Sequence, residues 1–154
     1  MLKVSDDYFV GFVEGEGMFY VGVVPSRETK NGWQVIYFFK VSQNPRGKVI
    51  LDLLKKRLNC GYIKKNHKTD DSDKSLALVV RNFSDLKTKV LPFFSNKLII
   101  KRSNFETFKK VLLLVEKGEH LNKDGLNKII NLAYSMNTKK RKLTKEYIMR
   151  HYRN

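Results

Sequence analysis

Cysteine, histidine and acidic residues are scarce in this sequence. The single cysteine, Cys60, excludes an internal disulfide and a cysteine-based zinc site, and we expect a buried thiol in a reducing compartment. His67, His120 and His151 lack the spacing of metal ligands, which argues against a histidine-metal site. The sequence also contains no glycine-rich phosphate-binding loop, and this excludes the nucleotide chemistry of that motif.

The shortage of acidic residues leaves a strongly basic chain. Lysine and arginine together number 31 against 15 acidic residues, a formal charge of +16 over 154 residues. A polyanion is the natural partner of such a chain, and nucleic acid is the commonest one. We expect no membrane partner, because no basic amphipathic helix dominates and no apolar run approaches the roughly 18 residues needed to span a bilayer. We also expect no N-terminal signal or transit peptide.

The stretch Phe9 to Gly17 is an unusual core helix, because it is apolar, contains two glycines and turns acidic at its end. Ser5 is a good N-cap, and a helix is predicted over residues 6–16. Each glycine costs about 1 kcal/mol relative to alanine, so a packing reason is expected. Small residues one turn apart let a second helix approach closely. The alternative is an ordinary amphipathic helix with a solvated acidic end. The face predicted to pack on a partner helix consists of Tyr8, Gly11, Glu14 and Gly15.

Runs rich in β-branched and aromatic residues predict four strands. They lie at 18–24, 33–43, 62–66 and 76–80. Because successive side chains of a strand point to opposite faces, the second strand has one apolar and one mixed face. The apolar face holds Val35, Tyr37, Phe39 and Val41, and the other face holds Gln34, Ile36, Phe38, Lys40 and Ser42.

Helix signals separate and follow these strands. Asn44-Pro45 combines a cap with proline at the first helical position, and a short helix around Ser84 to Val90 is expected to stop at Pro92. A further helix begins after the cap Asn122. The apolar stripes of the longer helices are Val49, Ile50, Leu53, Leu54 and Leu58, then Phe105, Phe108, Val111, Leu112 and Val115, then Leu126, Ile129, Ile130, Ala133 and Tyr134.

The first helix and the order of elements resemble the LAGLIDADG homing endonuclease family. Gly11 and Gly17 are identical to the family motif, the other positions keep its size class or charge, and Glu14 and Glu16 replace its two aspartates. The resemblance covers nearly the whole chain. It implies an α+β fold of order αββαββα, a four-stranded antiparallel DNA-binding saddle with helices on one face. Residues 1–137 are the expected endonuclease domain, and 138–154 a basic C-terminal extension of it. One copy of the motif implies a homodimer through the motif helix.

The resemblance also implies an activity and an active site. The expected enzyme is an intron or intein mobility endonuclease that hydrolyses both strands of a long, nearly palindromic double-stranded DNA site at the dimer axis. Mg²⁺ is the implied cofactor, with Mn²⁺ as a substitute, and Glu16 with the Gly15 carbonyl is its implied ligand set. Gln43 would orient water and Lys101 would lie near the attacking water or the phosphate, with Lys97 as the rival lysine. Alternatively, Gln43 only ends a strand and Lys101 is one of 31 basic residues. The implied location is intracellular, in a mitochondrion, a chloroplast or microbial cytoplasm.

The sheet face that the helices leave free is predicted to lie in a major groove. The positions expected to be exposed on it are Tyr20, Gly22, Val24, Gln34, Ile36, Phe38, Lys40, Tyr62, Lys64, Asn66, Ala77, Val79 and Arg81. The polar side chains would bond base edges, and Ile36, Phe38 and Val79 would touch thymine methyl groups. Alternatively, Ile36 and Phe38 cover another part of the protein.

The basic cluster after the last predicted helix is expected to contact phosphates. It begins with Lys139, Lys140 and Arg141. The alternative is a solubilising and partly disordered tail.

Two other functions suit a basic chain with this pattern. An intron RNA maturase or a non-cleaving DNA-binding protein on the same fold would bind RNA or DNA without cutting. A generic basic RNA-binding protein, such as a ribosomal one, would not need the two motif glycines.

Overall fold

The computed structural model describes residues 2–137 and 139–154. The first half of the chain contains α1 (Asp6–Glu16), β1 (Gly17–Pro25), β2 (Trp33–Gln43), α2 (Lys48–Leu58), β3 (Tyr62–Lys65) and β4 (Leu76–Val80). The second half contains α3 (Phe83–Asp85, Leu86–Val90 and Leu91–Phe94), α4 (Arg102–Glu116), α5 (Lys123–Ser135) and α6 (Lys145–Arg150). The strands form one four-stranded sheet in the order β1-β2-β4-β3, and β4 is antiparallel to both of its neighbours. The predicted α+β fold with a four-stranded antiparallel sheet is confirmed.

The chain divides into two compact units. The first unit comprises the residues up to Phe19 and Phe38–Arg102, and the second comprises Tyr20–Tyr37 and Ser103–Asn154. The predicted boundary between the endonuclease domain and its C-terminal extension falls at Thr138, which lies outside the described residues. That division of the chain stays a prediction.

Helix α1 begins and ends where its local signals predict. The Ser5 side chain accepts a hydrogen bond from the Tyr8 N–H at 3.2 Å, and Phe9, Val10 and Val13 are buried. The strand starts directly at Gly17, where an added Cβ would lie 2.6 Å from Val13 Cγ1. Glycine is therefore required at this junction, because a side chain would collide with the last helical turn.

Aromatic rings fill the core of the first unit. The Phe19 ring centroid lies 5.3 Å from that of Phe39 and 5.9 Å from that of Phe94, and all three side chains are buried. The side chain of Cys60, expected to be buried, is half-buried, and this partial burial raises the pKa of its thiol.

Two helix predictions in the first unit need correction. The buried stripe of α2 is Leu51, Leu54 and Leu58, whereas Val49 is 61% exposed. Asn44 starts a 3₁₀ turn over Pro45–Gly47, so the α-helix begins only at Lys48. Leu54 and Leu58 of the predicted stripe are confirmed as buried, and Leu51 is buried where Val49 was expected.

Helix α3 does not stop at Pro92 but continues to Phe94. A π-helical turn precedes the proline, with the Leu91 N–H donating to the Leu86 carbonyl. A π-helical turn shifts the pattern of backbone hydrogen bonds along the helix. The helix can therefore tolerate the N–H that proline lacks. Phe93 and Phe94 are both buried, so side-chain packing favours continuation of the helix.

The second unit combines part of the β1–β2 hairpin with the C-terminal helices. Its predicted stripes are confirmed at Phe105, Phe108, Val111 and Leu112 in α4 and at Leu126, Ile129, Ile130 and Ala133 in α5, while Val115 and Tyr134 are half-buried.

Helix α6 was not predicted. Thr144 caps it, and Ile148 is fully buried. The segment that follows bonds to the hairpin, since the Arg153 N–H donates to the Asn31 carbonyl at 3.1 Å. The Trp33 indole N–H also donates to the His151 carbonyl, at 3.4 Å. The alternative of a disordered tail is therefore wrong for this helix.

Candidate functional site

Gly11 and Gly15 form an open strip along α1. Both are exposed, and a Cβ added at either position would meet nothing within 4 Å. Tyr8, one turn before Gly11, is 59% exposed. Close packing within the described residues therefore does not offset the helix propensity that is lost at these two glycines.

Glu14 is held inside the first unit. Its carboxylate accepts hydrogen bonds from the N–H groups of Ile99, Ile100 (2.9 Å) and Lys101 (3.1 Å). These donors lie just ahead of Arg102, where α4 begins, and N–H groups at a helix start lack intrahelical partners. The carboxylate thus fastens the motif helix to a segment distant in sequence, a contact that no sequence signal indicates. The placement of Glu14 at a dimer interface stays a prediction.

Glu16 is the last residue of α1, and its side chain is exposed. Together with the exposed Gly15 it occupies the helix C-terminus, where carbonyl groups without intrahelical partners make the helix end negative. Carboxylate and carbonyl oxygens are the donors that Mg²⁺ prefers. Within the described residues, no group of three or more Asp, Glu, His or Cys side chains could hold a metal ion. The chemistry of the donors fits a hard cation, but one chain supplies too few of them.

The two lysines considered for the site have different surroundings. Lys101 is half-buried and lies next to the motif helix, because its own N–H is bonded to Glu14. The Lys97 ammonium instead lies 4.9 Å from the centroid of the Phe93 ring, which Arg57 also contacts at 4.9 Å. Of these two lysines, only Lys101 is hydrogen-bonded to α1 within the described residues, through its backbone N–H.

Gln43 lies at the end of β2, where it pairs with Leu76. Its half-buried side chain turns towards Gly47, so that a Cβ on Gly47 would lie 2.5 Å from Gln43 Oε1. Among the hydrogen bonds of residues 2–137 and 139–154, none joins Gln43 to Glu16 or Lys101.

In the first unit, three strands present paired rows of side chains on one sheet face. Lys40 and Tyr62 both pair with Val79 in register. Tyr62 is exposed and Lys40 is half-buried, whereas Val79 is buried, which contradicts the prediction that Val79 is exposed. Ala77, which pairs with Ser42 and Lys64, is buried as well and corrects the same prediction. Both belong to the central strand, where short side chains are covered by their neighbours on either side.

Two other predicted contacts of this face have partners in the chain. Asn66 is half-buried and donates from its side-chain amide to the Ser75 hydroxyl at 2.9 Å, which closes the β3–β4 hairpin. The Arg81 guanidinium carbon lies 4.8 Å from the centroid of the half-buried Phe38 ring, and Arg81 itself is exposed.

In the second unit, Gln34 is exposed, and Tyr20, Val24 and Ile36 are half-buried. Gly22, expected to be exposed, is buried, because a Cβ there would lie 2.8 Å from the Tyr20 hydroxyl. The Tyr20 ring therefore lies across the glycine backbone and covers it.

Arg141 is engaged inside the second unit. Its guanidinium donates to the Val21 carbonyl at 2.6 Å and also to the Ala133 carbonyl. It lies 5.1 Å from the centroid of the Tyr20 ring and 4.9 Å from that of Tyr134. Burial raises the pKa of the Tyr134 hydroxyl, which donates to the Leu143 carbonyl. Lys139 and Lys140, the other predicted phosphate contacts, are exposed.

No helix within the described residues is both long and apolar enough to cross a membrane.

Comparison with known proteins relates the chain to intron-encoded endonucleases. "Probable intron-encoded endonuclease 2" of Neurospora crassa is 31% identical over 140 residues, which cover 88% of this chain and 28% of the relative. This chain spans about a quarter to a third of the length of the curated relatives it matches.

Two solved structures share the fold over most of the chain. The crystal structure of the homing endonuclease I-TnaI is 39% identical, with a TM-score of 0.83 and 97% of each chain covered. The structure of I-SmaMI bound to an uncleaved DNA target in the presence of calcium ions is 33% identical, with a TM-score of 0.80, and the match covers 88% of this chain and 45% of that one.

A match to a protein-family model begins in the glycine-containing stretch of α1. Residues 9–112, from Phe9 through the middle of α4, match the model of the LAGLIDADG endonuclease family. Motif, fold and sequence similarity agree over this range, and the chain belongs to the LAGLIDADG endonuclease family.

Proposed function

We propose that this chain is a divalent-metal-dependent endonuclease that acts as a homodimer and cuts both strands of a long, nearly palindromic double-stranded DNA site. The observation that carries the proposal is the open Gly11–Gly15 strip with exposed Glu16 at its end. Membership of the endonuclease family supports the nuclease chemistry, and the charge of +16 supports a nucleic-acid partner.

A second copy of the chain would complete the site. Pairing of two motif helices along Gly11 and Gly15 would bring the two Glu16 carboxylates together at the dimer axis. This arrangement explains why one chain lacks a full set of metal ligands among its described residues. The match to I-SmaMI supports it, because our chain covers only 45% of that chain and so corresponds to less than half of it.

The cofactor in this proposal is Mg²⁺, with Mn²⁺ as a substitute. Glu16 and the Gly15 carbonyl would hold the ion, which when bound supplies an activated water and neutralises charge on the scissile phosphate. The I-SmaMI structure with DNA and calcium ions supports the use of a hard divalent cation in the family.

Two polar side chains would complete the chemistry. The Lys101 ammonium, placed beside α1 by its bonded backbone, would stabilise the negative charge that develops on the phosphate. The Gln43 amide would orient the attacking water by a hydrogen bond. Glu14 would keep the motif helix in position without touching the DNA, because its oxygens already accept three N–H groups.

The sheet face would provide the base contacts of each unit. In the first unit these would come from Lys40, Tyr62, Lys64, Asn66 and Arg81, with the Phe38 ring beside Arg81, and in the second unit from Tyr20, Gln34 and Ile36. Lys139 and Lys140 would contact phosphates, whereas Arg141 is used within the chain. Since its curated relatives are named as intron-encoded, we propose that the gene lies in a mobile intron and that the protein acts in the compartment holding that DNA.

Replacement of the carboxylate at position 16 tests the proposal. Glu16→Gln should reduce cleavage of a selected DNA site in Mg²⁺ by more than about 100-fold, because it removes a metal ligand, and should leave DNA affinity in Ca²⁺ unchanged. Glu106→Gln, an exposed glutamate of α4, is the matched control and should cut normally. Equal cleavage rates for Glu16→Gln and the unmodified chain would remove Glu16 from the active site.

A further inference from the structure

Arg81 and Phe38 face each other across two neighbouring strands of the first unit. Phe39 pairs with Val80 in register, so the next position along places Phe38 opposite Arg81. The guanidinium carbon lies 4.8 Å from the centroid of the Phe38 ring. Phe38 lies on the same sheet face as Lys40, two residues along the strand, and this is the face proposed to contact DNA.

The ring supports the guanidinium without using its hydrogen-bond donors. Within residues 2–137 and 139–154, no carboxylate or carbonyl accepts a hydrogen bond from the Arg81 side chain. A cation–π contact with an aromatic ring restricts where a guanidinium lies and leaves its N–H groups available. Arg81 is exposed, so these donors are accessible to a partner outside the chain.

We propose that Arg81, supported by the Phe38 ring, recognises a guanine in the DNA site by donating two hydrogen bonds to its O6 and N7 atoms. This inference rests on the proposed function. A planar pair of donors matches the two acceptors that guanine presents in the major groove, and a restricted guanidinium loses less conformational freedom on binding. Phe38 then acts as a positioning residue for Arg81, which replaces the expectation that it touches a thymine methyl group.

The proposal is tested by selection of DNA from a randomised library by binding in Ca²⁺, so that the result does not depend on cleavage. The unmodified chain should select a site with a guanine at a defined position of each half. Arg81→Met removes every donor while keeping an unbranched side chain, and should reduce the preference for that guanine by roughly 5- to 150-fold. Preferences at the other positions should persist.

Two further variants separate recognition from general effects. Phe38→Leu keeps an apolar side chain of similar size and should lower the preference for the same guanine by a smaller factor, because Arg81 becomes more mobile. Arg46→Lys, at an exposed arginine of the turn before α2, should leave every preference unchanged.

The outcomes distinguish this inference from the function on which it rests. If the unmodified chain selects a consensus and Arg81→Met selects the same one, the inference is overturned and the proposed function stands. If Arg81→Ala weakens binding to all sequences equally, Arg81 contacts a phosphate and the inference is likewise wrong. If the unmodified chain selects no consensus, both the proposed function and the inference fail.

Discussion

Glu14 and Glu16 lie two residues apart, yet their surroundings separate their roles. Glu14 accepts three backbone N–H groups from residues 99–101, whereas Glu16 is exposed at the helix end. A carboxylate with that many hydrogen bonds is costly to remove, because several donors lose their partner together. Of the two carboxylates, Glu16 is the exposed one, as its proposed role as a metal ligand requires.

The partly buried His120 side chain links the free energy of unfolding to pH. Burial lowers the pKa of His120 below its ordinary value of 6.5, and its Nδ1 atom is buried without a hydrogen-bond partner within the described residues. Below about pH 6.5 the unfolded chain therefore binds more protons than the folded one, and the free energy of unfolding falls as the pH decreases towards the lowered folded-state value.

We expect His120→Gln to flatten this dependence. The free energy of unfolding, measured by urea denaturation between about pH 7.5 and 5.5, should fall less for this variant than for the unmodified chain. His151→Gln, at an exposed histidine, is the control and should keep the original dependence. An unchanged slope in His120→Gln would show that His120 does not cause the pH effect.

Strand β1 lies at one edge of the sheet, and Arg141 covers part of it. The sheet order leaves β1 with a single neighbouring strand, and the Arg141 guanidinium donates to the Val21 carbonyl of this strand. Tyr20 and Tyr134 contact the same guanidinium, which restricts its position. An uncovered edge invites pairing with other chains, so Arg141 protects the strand while binding the C-terminal segment to it.

Arg141→Met should therefore destabilise the free protein by about 1–3 kcal/mol, because two carbonyl groups lose a charged donor. Urea denaturation without DNA measures this effect, and Lys140→Met, at an exposed lysine, should change the free energy of unfolding by less than about 0.5 kcal/mol. A variant that folds as stably as the unmodified chain but binds DNA more weakly would instead support the predicted phosphate contact.

Local signals explain why several elements could be predicted from the sequence. The caps Ser5 and Asn122 lie within three residues of the N–H groups they bind, so the starts of α1 and α5 are encoded locally. Helix α6 has an equally local cap in Thr144, but its apolar pattern is too short to stand out within the basic segment.

Partners distant in sequence explain what could not be predicted. The burial of Ala77 and Val79 depends on strands β2 and β3 on either side of β4, and simple alternation along one strand does not include these neighbours. The bond between Glu14 and residues 99–101 joins positions more than 80 residues apart. The resemblance to a family indicated the candidate site residues, but the choice of Lys101 over Lys97 is supported only by this tertiary contact.

The open strip of Gly11 and Gly15 predicts that two copies of the chain associate. Gly15→Leu adds a side chain into space that is empty in the isolated chain, so the chain should remain folded and helical propensity should rise. A partner helix could no longer approach, and the mass in solution should fall from dimer to monomer at micromolar concentration. Analytical ultracentrifugation measures this mass, with Lys109→Leu on the exposed face of α4 as the control. A dimer that persists in Gly15→Leu would refute the pairing of motif helices.

The buried short side chains of β4 limit how the specificity of this protein can be altered. Ala77 and Val79 lie between the polar rows of β2 and β3 and are themselves covered. A programme that retargets the proposed endonuclease to new sequences gains nothing by diversifying these two positions, and larger residues there would push the flanking rows apart. Combinatorial libraries of the first unit should therefore vary Lys40, Tyr62 and Lys64 and keep the central strand constant, so that each clone remains folded while its proposed base contacts change.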